Sequence, residues 1–501
     1  MTPIPVIVGA TQCTQFPDTE TPMDPMGLMT KTGTMALEDA GPPGLRNCVD
    51  CVWVSNILSW GYKDAPGMLS RNLDLKPSHT HYATMSGHTP QWFVNQAARR
   101  IASGESRVVL MAGAESQYTV KQSYKGQAKT DWPIRENPEI VGDGTSPDLG
   151  TNSLENSHQL MIPVNMYALF ETAIRAASRK SPDDHQIVLG NLFEKFSRVA
   201  ANNPFAWNRT ACSAREISLP GPYNPVACHP YTRRMCANMN VDMSAALVMT
   251  SEEIARDLGI DPSKWVYPMG GADLNNIMYV TQRPRLDNSP ALEHCVRLAL
   301  EQAGLDLSQI QAFDLYSCFP SMVEMALSSL NLRADDPRPF TVTGGLPFFG
   351  GPMGNYSMHA IATVVDKIRA GSVDSAMITA NGGFNTRHSV GIYGAKPSGA
   401  GWPPRDDSPI QEEILSATLP EPESKANGDM RVEGYIVRNN RDGEPEKGLV
   451  LGSLENGRKT LARLVAEPAL LRHFCNNELV GGLGRVHYDP VAQSNMFVPE
   501  F

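Results

Sequence analysis

The stretch that decides the fold is RIASGESRVVLMAGAES, residues 100–116, because KIRAGSVDSAMITANGG, residues 367–383, repeats its order of elements. Each stretch runs from the end of an amphipathic helix through a glycine into a continuous apolar strand. A second pair of matches, ALEDAG from Ala36 and ALEQAG from Ala299, has nearly the same spacing. Matched order at a near-constant offset predicts an internal duplication.

Each copy alternates helices with strands, which predicts an α/β fold with parallel sheets covered by helices on both faces. The runs VVLMAGAE and SAMITANGG show the unbroken apolar pattern of strands buried on two sides. Ligands of such sheets bind beyond the carboxyl ends of the strands, so the loops there are the predicted site. The polar, Gly- and Pro-rich segment from about Tyr118 to Pro163 is predicted to be an inserted loop region that covers it.

The duplication divides the chain into three predicted domains. The first half spans residues 1–270 and carries the inserted region at about 118–235. The second half spans 271–398. A Pro/Gly-rich linker at 394–409 leads into an extra domain, 399–501, whose short alternating segments predict a small β-barrel or sandwich.

Composition excludes several classes of function. The 501 residues are 41% hydrophobic and carry a formal net charge of −10, which argues against a general nucleic-acid or anionic-membrane binder. The sequence has no apolar run of transmembrane length, no signal-peptide pattern and no C-terminal peroxisomal address. Nine scattered cysteines, with CVDC at Cys48–Cys51 interpreted as buried thiols, favour a reducing, cytoplasmic location, although a peroxisomal one stays open.

Longer motifs point to a family. The duplicated halves together with GGLPFFGGPMGNY and ANGG resemble the thiolase superfamily. FSRVAANNPFAW, HPYTRRMCANMNVDMSAALVMTS and FDLYSCFP resemble its sterol-carrier-protein-2 branch, and the extra domain is similar to that of thiolase-like proteins of type 1. This resemblance implies a duplicated, five-layered α-β-α-β-α thiolase fold with a small C-terminal β-rich, OB-like domain, and a pocket for a coenzyme A thioester.

The resemblance also shows that the catalytic pattern has changed at four positions. TMSG places Thr84 where thiolases have the acyl-accepting cysteine, and YSCF places Tyr316 at the oxyanion-hole Asn or His. GGP places Gly351 at the activating histidine, and ANG places Ala380 at the second, proton-transferring cysteine. Thiolysis through an acyl-cysteine is therefore not expected.

Hydroxyl groups at the helix start offer one replacement. A threonine or serine hydroxyl needs an adjacent base to become nucleophilic, whereas a thiolate forms readily near neutral pH. Thr84 or Ser86 activated by His88 is one hypothesis. The interpretation we favour from sequence is that His88 caps or packs against the helix start.

The YSCF motif offers two further candidates. Tyr316 can donate its phenolic hydrogen bond to a thioester oxygen, and some thiolase-like aldolases of steroid side-chain breakdown carry tyrosine at the same motif position. The alternative is that the ring fills space left by a lost water. Cys318 is a candidate displaced nucleophile, with buried packing beside Phe319 as the favoured interpretation.

The last candidates lie on the second half. His359, on the helix after GNYSM, is a candidate general base, with a core histidine as the alternative. Asn355, a plausible helix N-cap, and Tyr356 are predicted substrate contacts. Asn381 and His388 are predicted to lie on a Gly-rich loop, NGGFNTRHSVGIYG, after the last strand of the second half, and to face the same cavity, with a solvent-facing His388 as the alternative. Gly351 completes the predicted substrate-binding set.

The predicted function is acyl transfer or carbon–carbon bond formation or cleavage on acyl-CoA or related thioesters, without the usual cysteines. The alternative is a non-catalytic CoA-thioester or lipid-binding scaffold. No permanently bound cofactor and no metal are expected, and the chain is expected to be a monomer or homodimer. Lys195, Arg233 and Arg234 are possible contacts for CoA phosphates, although ordinary surface charge is the simpler interpretation.

Overall fold

The computed structural model describes residues 2–140, 150–440, 442–465 and 467–500. Seven strands belong to the first half: β1 (Pro5–Thr14), β2 (Cys51–Val54), β3 (His79–Tyr82), β4 (Val108–Ser116), β5 (Val226–Cys228), β6 (Tyr231–Thr232) and β7 (Asp242–Ser251). Its helices are α1 (Pro25–Ala40), α2 (Ala65–Asn72), α3 (Thr89–Ala102), α4 (Gln117–Tyr124), α5 (Ser153–Ser157), α6 (Pro163–Ala177), α7 (Pro182–Ala201), α8 (Ala214–Ser218) and α9 (Glu252–Asp257).

The second half repeats the pattern in shorter form. Its strands are β8 (Tyr267–Asn275), β9 (Ala312–Asp314), β10 (Ser375–Gly382) and β11 (Arg387–Gly394). Its helices are α10 (Pro290–Ala303), α11 (Pro320–Ser329), α12 (Gly345–Phe348) and α13 (Tyr356–Arg369).

The strand orders confirm the duplication. The first sheet runs β1-β7-β4-β2-β3, and the second runs β8-β11-β10-β9, which is the same order without a counterpart of β3 in the described residues. The quoted helix–Gly–strand repeats are α3–β4 and α13–β10. The repeated Ala-Gly pairs end α1 and α10, where Gly41 and Gly304 take up positive φ values.

The two sheets are mixed, so the expectation of parallel sheets is wrong for four of their seven strand pairs. β2 pairs in parallel with β3 and β4, and β9 with β10. In contrast, β7 is antiparallel to β1 and β4, and β11 to β8 and β10. The physical reason is clearest at β10 and β11, because only the four residues 383–386 connect them. So short a connection allows a hairpin of antiparallel strands but not a crossover to a parallel strand.

Local sequence explains where the main helices begin. Asp24 accepts a hydrogen bond from the backbone of Gly27 and Pro25 opens the first turn of α1, while Ser181 caps α7 in the same way. The two helices that matter most for the site, α3 and α13, have no side-chain cap bond at their start. Their first turns instead lie in the molecule's interior.

Helices α3 and α13 contact each other and lie between the two sheets. With α1 on the outer face of the first sheet and α10 on that of the second, they give five layers, α-β-α-β-α, as predicted. The middle layer is packed by buried apolar side chains, among them Phe93, Ala97, Ile361 and Val365, each with an exposed fraction of 0%. Burying one such large side chain stabilises the fold by about 1.5–3 kcal/mol.

The C-terminal region is a closed barrel of five strands, β12 (Gly428–Asn439), β13 (Pro445–Leu454), β14 (Lys459–Leu464), β15 (Leu483–Asp489) and β16 (Ser494–Pro499), ordered β12-β13-β14-β16-β15. Helices α14 (Ser408–Ser416) and α15 (Pro468–Asn476) accompany it. Side chains along each barrel strand point alternately to its two faces. Val437 and Val450 point into the barrel, whereas Ile436 and Leu449 point outward and belong to the core of the main body. The barrel is therefore docked on the body, with α6 against β12.

The inserted region is more ordered than the sequence predicted. Residues 163–201 form the long helices α6 and α7, which connect the main body with the barrel. In the segment predicted to cover the site, Trp132 packs edge to face on Trp60, which precedes α2. Residues 141–149 of that segment lie outside the described residues. None of the described helices has the length and apolar character needed to cross a membrane.

Candidate active site

The predicted site residues converge at the start of α3. Ser86, Gly87 and His88 immediately precede this helix, Tyr316 follows β9, and Asn381 lies near the end of β10. Six side chains meet there and are called the helix-mouth cluster below: Ser86, His88, Tyr167, Tyr316, Cys318 and Asn381.

Ser86 and His88 form a hydrogen-bonded pair. The Ser86 Oγ and His88 Nδ1 atoms are 2.7 Å apart, and both side chains are buried. The backbone of Gly382 passes so close that a Cβ there would lie 2.7 Å from His88 Nδ1 and overlap Ser86 Oγ. Of the two alternatives favoured from sequence, packing at the helix start fits the structure and capping does not. His88 occupies the N-cap position of α3, but its ring makes no cap hydrogen bond and packs against Ser86 and the end of β10.

Tyr316 brings its hydroxyl to the same point. A Cβ at Gly87 would overlap Tyr316 Oη and lie 2.5 Å from the carbonyl oxygen of Asn381. The Tyr316 backbone is held by a 3.0 Å hydrogen bond from its N–H to Thr379 Oγ1. Burial, and secondarily Cys318, raises the pKa of Tyr316 far above its usual value, so the hydroxyl stays a hydrogen-bond donor at neutral pH.

Tyr167 is the member of the cluster that the sequence analysis missed. It enters from α6, and its hydroxyl donates to the carbonyl oxygen of Gly383 at 2.8 Å while accepting from Asn381 Nδ2 at 2.8 Å. Its ring stacks on Phe319 with centroids 4.6 Å apart. Only the position of the inserted region in three dimensions brings α6 here, so no local sequence signal marks this tyrosine.

Cys318 lies beside Tyr167 and Asn381 but is not an activated thiol. Burial raises its pKa to about 12, although hydrogen bonding with those two side chains works in the opposite direction. A thiol with this pKa is almost entirely protonated at pH 7, and the thiol is a far poorer nucleophile than the thiolate. The environment therefore matches the packing interpretation of Cys318.

A buried polar network supports this wall of the cluster. Tyr231 stacks on Phe319 and donates to Glu171 Oε2 at 2.6 Å, and Glu171 Oε1 lies 2.5 Å from His185 Nε2. Burial favours a protonated Glu171, but hydrogen bonds from His185 and Glu324 outweigh it and lower its pKa. Burial and the neighbouring Glu171 carboxylate raise the pKa of Glu324, so Glu171 is the more acidic of the two.

His388 lies on strand β11, not on the predicted loop, and is buried next to the cluster rather than facing solvent. It pairs across the hairpin with Asn381, and its Nε2 atom lies 2.8 Å from Asn385 Oδ1 and 3.1 Å from Ser289 Oγ. Burial, followed by the charges of Arg283 and His88, lowers the pKa of His388 to about 3. Its ring is therefore neutral and held by neutral partners.

The structure places His359 outside the cluster. Its Nδ1 atom lies 3.1 Å from Gln12 Oε1 of β1, and its ring packs edge to face on Phe349. The side chain has an exposed fraction of 0%, and burial lowers its pKa to about 3. Its surroundings are those of a core histidine.

Asn355 and Tyr356 are buried beside the cluster and contact the groups that support it. The Asn355 side chain donates to the carbonyl oxygen of Gly113 at 2.7 Å and does not cap α13. The Tyr356 ring lies edge to face against Tyr316, and its hydroxyl donates to Asp314 Oδ1 at 2.8 Å. Tyr356 thus orients the Tyr316 ring.

The remaining predicted positions do not belong to the helix-mouth cluster. Gly351 faces Leu346, Ala237 and Asn238, and a Cβ there would meet them at ordinary contact distances of 3.4–3.6 Å. Lys195 donates to the carbonyl oxygen of Ala334 at 2.8 Å, and Arg234 to that of Glu216 at 3.1 Å.

The cluster therefore combines three chemical elements. It has a hydrogen-bonded serine–histidine pair, a phenolic donor and the positive end of the 14-residue helix α3, which favours negative charge. It is also not sealed, because Thr84, His88, Tyr316 and Cys318 keep exposed fractions of 7–9%. Such an arrangement can stabilise an oxyanion and accept a proton beside it.

Comparison with known proteins includes a match over nearly the full length. The crystal structure of a monomeric SCP2-thiolase like protein type 1 from Mycobacterium smegmatis superposes with a TM-score of 0.85 at 32% identity, covering 99% of each chain. Residues 409–490 match the family described as the thiolase-like protein type 1 additional C-terminal domain.

More distant matches cover the body or part of it. The Ltp2-ChsH2(DUF35) aldolase has the same fold, with a TM-score of 0.60 and 19% identity over 79% of this chain and 98% of that one. The 3-ketoacyl-CoA thiolase of Escherichia coli O6:H1 is 27% identical over 140 residues. That match spans 28% of this chain and only a third of the thiolase.

Proposed function

Because this chain belongs to the SCP2-thiolase-like proteins of type 1, within the thiolase superfamily, we propose that it catalyses carbon–carbon bond formation or cleavage on acyl-CoA or related thioesters. The observation that carries this proposal is the position of the Tyr316 hydroxyl against Gly87, between Ser86 and His88. Thiolase chemistry through cysteine is replaced in this proposal by enolate chemistry.

In the proposed reaction His88 removes a proton from the carbon next to the thioester. The electron pair of that C–H bond moves onto the thioester oxygen, and the Tyr316 O–H stabilises the resulting enolate. The enolate carbon then attacks an aldehyde carbonyl carbon, whose oxygen takes the proton from the imidazolium of His88. The reverse sequence cleaves the same bond, as in a retro-aldol reaction.

The environment supports these roles. Ser86 fixes the His88 ring through Nδ1, so the orientation of the base is set before substrate arrives. The raised pKa of Tyr316 keeps its proton in place as a hydrogen-bond donor. The start of α3 adds a favourable field for the enolate. The 19%-identical aldolase shares only the fold and carries no further weight here.

The test is to incubate the protein with a panel of CoA thioesters, with and without aldehydes, and to follow products and free thiol by mass spectrometry. We expect Tyr316→Phe to lower kcat by about 10²–10³, the usual cost of removing one oxyanion donor. Tyr223→Phe, at a position with an exposed fraction of 90%, is the matched control and should change nothing.

The results separate this proposal from a non-catalytic scaffold. Turnover that depends on Tyr316 supports the enzyme. CoA binding without any turnover across the panel, equal in both tyrosine variants, would contradict it and favour the scaffold.

A second candidate function is acyl transfer through an acyl-serine, which the 2.7 Å contact between Ser86 and His88 favours. In that case Ser86 Oγ attacks the thioester carbon, His88 takes the hydroxyl proton, and the CoA thiol leaves with it. Intact mass spectrometry after brief exposure to acetyl-CoA would then show an acetyl adduct that Ser86→Ala abolishes. The enolate mechanism predicts no adduct.

A further inference from the structure

A groove between the barrel and the segment before α6 has the features of a ligand site. We infer that it binds the phosphorylated adenosine end of a coenzyme A thioester. The identity of this ligand rests on the proposed function, whereas the site itself rests on the cavity, strand register and charges of the barrel.

The groove has a volume of about 350 Å³. One wall is Ser157, His158 and Gln159, in the connection from α5 to α6. The other is the barrel, which contributes Ile436, Arg438, Lys447, Leu449, Arg463 and Met496. His158 is fixed in its wall, with Nδ1 2.9 Å from the Leu154 carbonyl oxygen and Nε2 3.2 Å from Ser494 Oγ.

Strand register puts these barrel residues on one outer face. Ile436 pairs with Leu449, Leu449 with Arg463, and Arg463 with Met496, which makes one row across four strands. Arg438 pairs with Lys447 in the parallel row two residues along β12 and β13. Paired residues and those two apart share a face, so three cationic side chains lie beside Leu449 and Met496, while Ile436 is buried against the main body.

The charges of this face are not balanced within the described residues. Lys447 and Arg463 form no ion pair there, and Arg438 bonds the neutral Gln159 side chain. Glu446 is the one acidic residue in the described lining. Like charges directly opposite on neighbouring strands, as at Arg438 and Lys447, destabilise a sheet, and a bound polyanion would offset that cost.

The shape matches an adenosine carrying phosphates. Met496, which is half-buried, and Leu449, with an exposed fraction of 7%, offer a small apolar surface for the edge of a purine ring, and the cations at the rim offer partners for phosphate oxygens. The protein as a whole is acidic, with a formal charge of −10, so this cationic face is a local departure from its surface.

The groove also has a structural connection to the helix-mouth cluster. Gln159 in the groove wall accepts a 2.9 Å hydrogen bond at its carbonyl oxygen from Asn165 Nδ2 of α6. Two residues later the same helix presents Tyr167 to the cluster. A linear ligand lying along the first turns of α6 would place its nucleotide at the barrel and its thioester at the cluster.

The test measures binding of 3′,5′-ADP, CoA and inorganic phosphate to the full chain by isothermal titration calorimetry. Lys447→Gln and Arg463→Gln each remove one exposed charge, and each is expected to weaken 3′,5′-ADP and CoA binding by about 5- to 10-fold. Arg485→Gln, on β15 of the same barrel, is the matched control and should bind like the wild type. Tyr316→Phe should also leave 3′,5′-ADP binding unchanged.

Three results would overturn the inference: no binding of 3′,5′-ADP, equal affinity in the two charge variants and the control, or inorganic phosphate binding as tightly as the nucleotide. Its failure is distinguishable from that of the proposed function. Turnover that depends on Tyr316, with an unchanged KM in both charge variants, would contradict the inference about the groove but not the proposed function. Nucleotide binding that depends on the two charges, without any turnover, would contradict the proposed function but not the inference about the groove.

Discussion

At the scale of single residues, the helix-mouth cluster depends on two glycines that let other groups approach. Gly87 leaves room for the Tyr316 hydroxyl and the Asn381 carbonyl oxygen, and Gly382 leaves room for Ser86 and His88. Neither glycine has a positive φ, so close packing, and not backbone strain, requires them.

We therefore expect Gly87→Ala to displace Tyr316 and to lower turnover by at least about 10²-fold, because the oxyanion donor loses its position. Gly221→Ala is the control, since no atom lies within 4 Å of its Cβ position. Steady-state kinetics and thermal melts of both variants provide the readout. Wild-type activity in Gly87→Ala would show that Tyr316 does not act from this position.

The residues of the site could be predicted only where the sequence keeps a motif. TMSG, YSCF and ANG located Ser86, Tyr316 and Asn381, because motif order survives in a duplicated fold. His359 could not be placed, because helical spacing gives a buried face but does not distinguish the cluster from the neighbouring Gln12 of β1. Tyr167 depends on a long-range approach of α6 that no local pattern records.

At the scale of elements, α6 connects the cluster with the barrel. Its Arg175 side chain has an exposed fraction of 1% and donates to both carboxylate oxygens of Glu478, at 2.9 and 3.1 Å. It also donates to the Tyr435 hydroxyl of β12 at 2.7 Å. One buried guanidinium thus joins an inserted helix to two parts of the barrel domain.

Glu478→Gln should lower the free energy of unfolding by about 2 kcal/mol, because it leaves a buried cation with a neutral partner. The expected cost is below that of a fully buried pair, since the Glu478 side chain is 31% exposed. Glu444→Gln, whose partner Arg472 is exposed, should cost no more than about 0.5 kcal/mol. Equal urea denaturation curves for the two variants would contradict this account of the docking.

The sequence predicted the type of most elements better than their pairing. Apolar runs identified β4 and β10, but period alone does not give strand direction, and the antiparallel β7 and β11 were missed. The direction of β11 could have been predicted from the short turn at 383–386. Such a turn indicates a hairpin, but this part of the chain was interpreted as βαβ units.

At the scale of the whole molecule, three buried histidines make stability depend on pH. Burial lowers the pKa of His229, His359 and His388 to about 3 each, against about 6.5 in an unfolded chain. Between these values the unfolded state binds the additional protons, so stability is present above pH of about 6.5 and is lost as pH falls toward 3.

Each such histidine contributes a slope of about 1.4 kcal/mol per pH unit in that window. His359→Asn keeps a polar partner for Gln12 and removes the titrating group, so the slope of unfolding free energy between pH 6 and pH 4 should fall by about that amount. Urea denaturation at three or four pH values measures it. An unchanged slope would show that His359 is not held neutral in the fold.

The overall architecture was the most predictable property, because an internal repeat constrains hundreds of residues at once. The five layers follow from the duplication, and the barrel from the alternating segments after the linker. How the barrel docks could not be predicted. Ile436 and Leu449 face the main body, whereas the next residues along the two strands, Val437 and Val450, face the inside of the barrel, and all four are apolar.

The most direct test of the central claim, enolate formation at the helix-mouth cluster, is deuterium exchange into acetyl-CoA in D₂O, which needs no second substrate. Mass spectrometry follows incorporation at the carbon next to the thioester. We expect incorporation by the wild-type protein and a rate lower by about 10²-fold or more in Tyr316→Phe. Incorporation no faster than in protein-free buffer, or equal rates in the two proteins, would contradict it.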